Sequence, residues 1–597
     1  MSQEIKNCQN CKQDFTIEPE DSGFYKKIDV PPPTWCWRCR AMRRMAFYNM
    51  NCLHERTCAA TGKKIFTTMP PSAPMPVYST DYWLSDKWNP LDYGKDYDFK
   101  KPFLEQFREL FNTVPWSPMW NYNKTNSDYS VSSYLKNCYL CFDCGFLEDS
   151  AYSVTLLRSK RCFDMVNCKS CELCYYCINT NDSYKTFFSR DCTSCVEVWL
   201  SQDCIGCNNC FGCTGLRNKN YHIFNKSYTK EAYQEELRKM KLDSWDGFQS
   251  AAEKAFAARK QYPVKYQHSV QAQGCTGDYI YNSNQLRNCF FAGNAQNCFH
   301  SQSIIYGPIK DSADITSSGE VIELFYETGA SGDQASNIFF SFDVSASNYC
   351  WYSTNCRQSN NLFGCAGMRG KNYCIFNKQY SKEDFFALRE KIIRHMDEMP
   401  YIDAKGRVYR YGEFFPPDMS PFGYNETQAY EYFPLTQKEA ESRGYNWRAP
   451  EMKHYAVTRT SDELPQNIHD VSDDITGEII QCLHQDHDTH SEQCRVRCST
   501  AFRITAQELQ FYHQMNLPLP RLCFHCRHFE RVTWRNRPQL YKGKCMCTGN
   551  TAEKAEYQNG ALHFHGEHHC PNEFETSYAP DRPEIVYCEQ CYNSEIA

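Results

Sequence analysis

One register constrains this chain more than any other feature. Taking every third residue from Cys138 to Leu216 gives cysteine at fourteen of 27 places. The remainder are Ser, Thr, Leu, Val and Met, with no charged residue, Asn, Gln or Gly. The stretch NCKSCELCYYC, with Cys168, Cys171, Cys174 and Cys177, is its densest part. An α-helix turns every 3.6 residues and drifts off a period of three. A flat strand alternates with period two. A coiled solenoid with short sides can point every third side chain inward.

A second period supports this. Tyr139, Phe163, Tyr175, Phe187, Trp199 and Phe211 form a 12-residue ladder interrupted by Ala151, and Asp or Asn recurs at its fifth place (Asp143, Asn167, Asn179, Asp191, Asp203). We therefore expect a β-solenoid of about 12 residues per turn, with turns stacked about 4.8 Å apart. Six or seven turns would make a rod about 30 Å long. The inward cysteines read as reduced core, since a free cysteine packs as a small hydrophobe. Exchange with Ser, Thr and Val points to size rather than ligation. A disulfide ladder and a metal cluster are the alternatives. The aromatic ladder reads as an outer or corner stack, with a base- or sugar-stacking platform as the alternative.

The block is duplicated. NCFGCTGLRNKNYHIFNKSYTKEAYQEELRKM at 209–240 returns at 361–392 as NLFGCAGMRGKNYCIFNKQYSKEDFFALREKI. The second block is inward at Ser341, Val344, Ser347, Cys350, Ser353, Cys356, Ser359, Leu362 and Cys365. An earlier piece, Cys289 to Ile304, is in another phase, which we attribute to an irregular insertion near 306–332. Thr229 and Ser381 are N-caps with acidic first turns, so capping helices should follow each block, the first broken near Asp243–Trp245.

The two ends also match. Cys11, Phe15, Ile17, Tyr25, Cys36, Cys39, Asn49, Cys58 and Gly62 align without a gap on Cys498, Phe502, Ile504, Tyr512, Cys523, Cys526, Asn536, Cys545 and Gly549. Paired CxxC knuckles are a tetrahedral zinc pattern. We assign Cys8, Cys11, Cys36 and Cys39 to one site. We assign Cys494, Cys498, Cys523 and Cys526 to a second, with Cys482 and His484 as further candidates, because Arg495 stands where Cys8 would be. Cys545, Cys547, Cys588 and Cys591 form a third. Cys570 and the run His563, His565, His568 and His569 are possible substitutes or extra ligands, with a solvated polar loop as the favoured reading of the histidines. The N-terminal counterpart of the third site carries Ser79 and Tyr82 and should lack metal. Two to three structural Zn2+ ions are expected.

The expected organisation is a zinc ribbon at 1–70, a connector at 71–130, solenoid blocks at 131–228 and 263–380 with capping helices at 229–262 and 381–397, a connector at 398–480, and a double zinc ribbon at 481–597. The fold class is mainly β. The motifs CxxC…VPPPTWCWRCRAMRR, SDKWNPLDYGKDYDF, LRNKNYHIFNK, SPFGYNET and HCPNEFETSYAPDRPEIVYCEQCY together resemble a family of large zinc-ribbon, cysteine-repeat proteins of candidate-phyla bacteria. That resemblance spans nearly the whole chain and implies no activity. It would put cysteines at Ala60, Thr61, Ser79 and Tyr82, where this chain has none.

The net charge of −6 on 597 residues provides no global field for nucleic acid. The polar amino terminus and the lack of an 18-residue apolar run lead us to expect no leader, no membrane span and a reduced cytoplasmic setting. No nucleotide loop, hydrolase elbow or metalloprotease motif appears. We therefore expect a non-enzymatic scaffold with a protein partner. The alternative is nucleic-acid or ribosome binding through Arg38, Arg40, Arg43 and Arg44, followed by Arg56, Lys63 and Lys64, and through Arg521, Arg527, Arg531, Arg535 and Arg537. A second alternative is thiol-based metal or redox handling.

Overall fold

A regular solenoid turn is built from four triplets, and each triplet ends in a left-handed residue. Leu173, Tyr176, Asn179 and Asp182 have φ of 54°, 57°, 51° and 49°, and the pattern repeats along both blocks. Two extended residues followed by a left-handed one turn the chain at every third position, which sets the period of three. The Asp and Asn residues at the fifth place of the ladder all occupy this conformation, which their short side chains tolerate best. These features come from a computed structural model that describes residues 3–49, 51–118, 123–304, 307–449, 455–485, 492–553 and 557–596.

Successive turns pair in parallel at 12-residue offsets: Tyr139 with Ala151, then Phe163, Tyr175, Phe187 and Trp199, then Phe211 and Ile223. The inward cysteines are buried, and none of the 37 cysteines is joined in a disulfide. Size is only part of what selects them. Cys171 Sγ donates to Lys169 O at 3.4 Å and Thr180 O at 3.3 Å. Cys168 Sγ accepts from the Thr180 N–H at 3.3 Å, one turn on. Ser150 does the same: its Oγ donates to Glu148 O at 2.9 Å and accepts from the Cys162 N–H at 3.1 Å. An inward backbone N–H needs an acceptor in this dry core. Cys, Ser and Thr supply one within the space available.

The phase shift in the second block arises near 306–332, as expected, but the segment is not irregular: it contains the strands Ile309–Thr316 and Ile322–Gly329. Ala295 pairs with Ile309, Ile309 with Ile322, and Ile322 with Ala335. Turns of 14, 13 and 13 residues thus replace turns of 12, and the inward set slips by one.

The chain divides into two compact units, 1–119 with 267–448 and 120–266 with 449–597. The amino-terminal ribbon therefore belongs with the second solenoid block and the carboxy-terminal ribbons with the first. The first block starts pairing at Lys124–Thr125. Its helices are Lys230–Lys239, capped by the Thr229 hydroxyl, and Trp245–Arg259. The break falls between them, as the sequence indicates. The second helix does not only cover the end of the coil. Phe248, Ala251 and Ala255 pack with Phe211 and Ile223 along its side. The second block is followed by the helix Lys382–Glu398, with the Ser381 hydroxyl accepting from Asp384 N–H.

In both units the aromatic ladder is covered by a ribbon. Phe163 and Tyr175 lie 4.6 and 5.9 Å from the Phe511 ring. Phe299 and Tyr326 lie 5.2 and 5.3 Å from Phe24 and Tyr25. The ladders are docking faces within each unit, so these residues are not an open stacking platform.

Candidate metal centres

The amino-terminal ribbon brings Cys8, Cys11, Cys36 and Cys39 together, as their spacing predicts. The hairpin Glu4–Asn7 with Asp14–Ile17 supplies the first knuckle. Cys36 N-caps the helix Trp37–Met45, which supplies the second. Cys11 and Cys36 Sγ are 3.8 Å apart. The edge of a tetrahedron with bonds of ~2.3 Å is about 3.8 Å, so the donor set fits a metal ion. The Cys36 N–H donates to Cys8 Sγ at 3.3 Å, helping to neutralise a thiolate.

The second group is Cys482, Cys498, Cys523 and Cys526. Sγ separations of 3.8 Å (Cys482–Cys526) and 3.9 Å (Cys498–Cys523) fit the same tetrahedron. Cys494, assigned from the sequence as the fourth ligand, is not in this set; its Sγ lies 2.9 Å from His484 Nδ1. The pairing explains the correction. Lys6 pairs with Phe15 in one ribbon, and Ile480 pairs with Phe502 in the other. Cys482 therefore follows its strand as Cys8 does, and the Cys523 N–H donates to Cys482 Sγ at 3.2 Å. Two residues separate Cys8 from Cys11, and fifteen separate Cys482 from Cys498. A gapless alignment cannot see an insertion inside the knuckle.

The third group is Cys545, Cys570, Cys588 and Cys591. Cys547 is displaced from it by Cys570 for the same reason. Thr57 pairs with Lys64, and Lys544 with Glu573. Thr61 is thus the counterpart of Cys570, and Gly549 belongs to the inserted segment rather than matching Gly62. Two residues separate Cys58 from Thr61; 24 separate Cys545 from Cys570.

The amino-terminal counterpart keeps the cage geometry without the donors. The Ser79 N–H donates to Cys58 Sγ at 3.1 Å, as the Cys588 N–H does to Cys545 Sγ at 3.2 Å. The triple substitution Thr61→Cys, Ser79→Cys, Tyr82→Cys should therefore create one additional tetrathiolate site. Native mass spectrometry should show one more bound ion than in the parent, and an unchanged count would refute the equivalence.

The arginines singled out as a phosphate grip are mostly buried ion-pair partners. Arg40, Arg43, Arg44, Arg527, Arg531 and Arg535 are all buried. Asp314 accepts from Arg40 Nη2 at 2.8 Å and Arg44 Nη1 at 3.0 Å. Glu327 accepts from Arg43 and Arg44 at 2.9 and 3.2 Å, and Glu413 from Arg43 at 3.1 Å. In the other unit Asp164 takes Arg531 at 2.8 Å and Arg527 at 3.3 Å, and Arg527 also reaches Glu508 at 3.2 Å. Burial alone would lower the Arg40 guanidinium, but Asp314 together with neighbouring groups outweighs this and holds it above its usual range. Asp314 and Asp164 both sit at left-handed corners beside the ladder. In each unit one ribbon, that of Cys36 and Cys39 or of Cys523 and Cys526, is thus anchored to a solenoid Asp by arginines from the helix that carries its second knuckle. Arg521 is also buried, 4.8 Å over the Trp245 ring. Arg38, Lys63, Lys64 and Arg537 remain exposed.

Among the described residues, the groups able to hold metal all lie in the ribbons, and none involves a solenoid cysteine. No described helix is long and apolar enough to cross a membrane.

No family model and no curated protein matches the chain. Among solved structures, a putative acetyltransferase from Desulfovibrio desulfuricans G20 is similar at 11% identity, covering 49% of this chain and 75% of that one, with a TM-score of 0.11; a likeness at that level carries no argument about fold or activity.

Proposed function

We propose that the protein is a non-enzymatic scaffold in which zinc-clamped ribbons lock two β-solenoid blocks, and the uncovered coil faces receive a protein partner. The observation that carries this reading is how the ribbons are used. Three groups of their thiols are sets of four, and the basic helices Trp37–Met45 and Phe524–Thr533 are spent on buried carboxylates of the same unit. Four thiolates with no open position are the signature of structural zinc. The coil faces left uncovered carry exposed apolar side chains, including Tyr184 and Val196, neighbours on adjacent turns, and the stacked pair Tyr134 and Phe146. The nucleic-acid reading loses its main residues to burial. The redox reading loses support in the densest stretch, where burial raises the Cys168 and Cys174 thiols well above their usual range.

The test is native mass spectrometry with elemental analysis, followed by cobalt substitution and proteolysis after metal removal. We expect at least three zinc ions per chain and tetrahedral thiolate spectra. Stripping the metal should make the ribbons protease-sensitive while the coils persist. Substoichiometric, freely exchanging metal with a water ligand would overturn the structural assignment.

A further inference from the structure

The segment inserted between Cys545 and Cys570 carries three more metal donors. Ligand atoms of Cys547, His563, His565 and Cys591 all lie within 4.8 Å of one another. Cys591 is also the fourth thiol of the Cys545, Cys570, Cys588 group. We propose that this ribbon holds a dinuclear zinc centre, with a second ion bound by Cys547, His563 and His565 and sharing the Cys591 thiolate with the first.

Four observations converge on this. The seven donors equal the number two tetrahedral ions need when one ligand is shared. Both histidines are oriented as metal ligands usually are, with one ring nitrogen engaged by an oxygen and the other facing the site. His565 Nδ1 lies 2.6 Å from the His568 carbonyl oxygen, and its Nε2 lies 3.3 Å from Cys591 Sγ. His563 Nε2 lies 2.9 Å from Glu595 Oε1, both side chains being buried. The other nitrogen of that ring, His563 Nδ1, is buried with no hydrogen-bond partner among the described residues, which a bound ion would correct. Cys547 Sγ is supported by Asn559 Nδ2 at 3.3 Å, as Cys588 Sγ is by Asn572 Nδ2 at 3.3 Å. Finally, the amino-terminal copy closes the same hairpin with two residues between Cys58 and Thr61, so the inserted length is not needed for the turn. Five thiolates, two neutral imidazoles and two divalent ions leave one net negative charge, a balance a partly buried site can hold.

This inference rests on reading the ribbons as zinc sites, and the two fail separately. In native mass spectrometry of the full chain with zinc, we expect at least four ions. The double variant His563→Ala, His565→Ala and the single variant Cys547→Ser should each bind one ion fewer, with the solenoid far-UV signal unchanged. His565→Cys, which keeps a donor, should retain the full count. Cys591→Ser should lose two ions. A wild-type chain that binds no metal overturns the zinc reading and this inference together. Three ions in the wild type, no loss in the histidine variant, or loss of a single ion in Cys591→Ser overturns the shared centre alone. Should the histidine variant fail to fold, Cys547→Ser and His565→Cys still decide the question.

Discussion

The solenoid should unfold cooperatively in mild alkali, before its buried tyrosines, which burial raises above their usual range, ionise. Burial raises the thiols of Cys168 and Cys174 well above their usual range and pushes Cys177 up to about 12. Cys171 is raised chiefly by its hydrogen bond with Cys174, and burial adds to this. In the unfolded chain each thiol titrates near ~8.5. The stability these groups contribute is therefore fully present below about pH 8.5. It is lost as pH rises toward the folded values, because only the unfolded chain can release the protons. One pH unit in that window costs about 1.4 kcal/mol per thiol, or roughly 5 kcal/mol for the four. Against a typical net stability of about 5–15 kcal/mol, two pH units suffice. Circular dichroism under reducing conditions should show a transition near pH ~10 that releases at least four protons. Replacing the four by serine, which already serves at neighbouring inward places such as Ser183 and Ser189, should move the midpoint upward. A coil that stays intact until the buried tyrosines titrate would mean the thiols are solvated or oxidised.

The second large effect is expected at the solenoid aspartates. Asp314→Ala would leave Arg40 and Arg44 buried with Glu327 as the single shared carboxylate among the described residues. Removing one partner of a buried charge network costs about 3–5 kcal/mol. Asp164→Ala should do the same to Arg527 and Arg531 in the other unit. Hydrogen exchange should rise sharply in the helix Trp37–Met45 for the first variant and in Phe524–Thr533 for the second, each without effect on the other unit's helix. An exposed pair provides the control. Lys136 and Glu148 are 2.7 Å apart with side chains 60% and 33% exposed, and Glu148→Ala should leave stability nearly unchanged. If Asp314→Ala were as mild, the arginines would be reaching water, and the phosphate-gripping role would reopen.

Much of the local architecture is legible in the residues alone. A period of three that excludes charge over 27 places leaves few ways to fold, and the 12-residue ladder then sets the turn. The first zinc-type cage follows from two CxxC knuckles, since four thiols at that spacing leave little geometric freedom. The recurring Asp and Asn at the fifth place are visible in the sequence too; their meaning, a left-handed corner, becomes plain only in the backbone.

What required tertiary structure shares one physical cause: it depends on pairings far apart in the chain. Cys494 and Cys547 lie nearest in sequence to the other ligands. Strand pairing, however, sets which cysteine follows a hairpin strand, and it selects Cys482 and Cys570 across insertions of unconstrained length. Arg40 and Arg44 read as a solvated basic stripe because their carboxylate, Asp314, lies some 270 residues away. Local sequence determines knuckles, corners and inward registers. Long-range packing decides which ribbon covers which ladder, because burying an arginine requires a carboxylate at the matching corner of a particular coil.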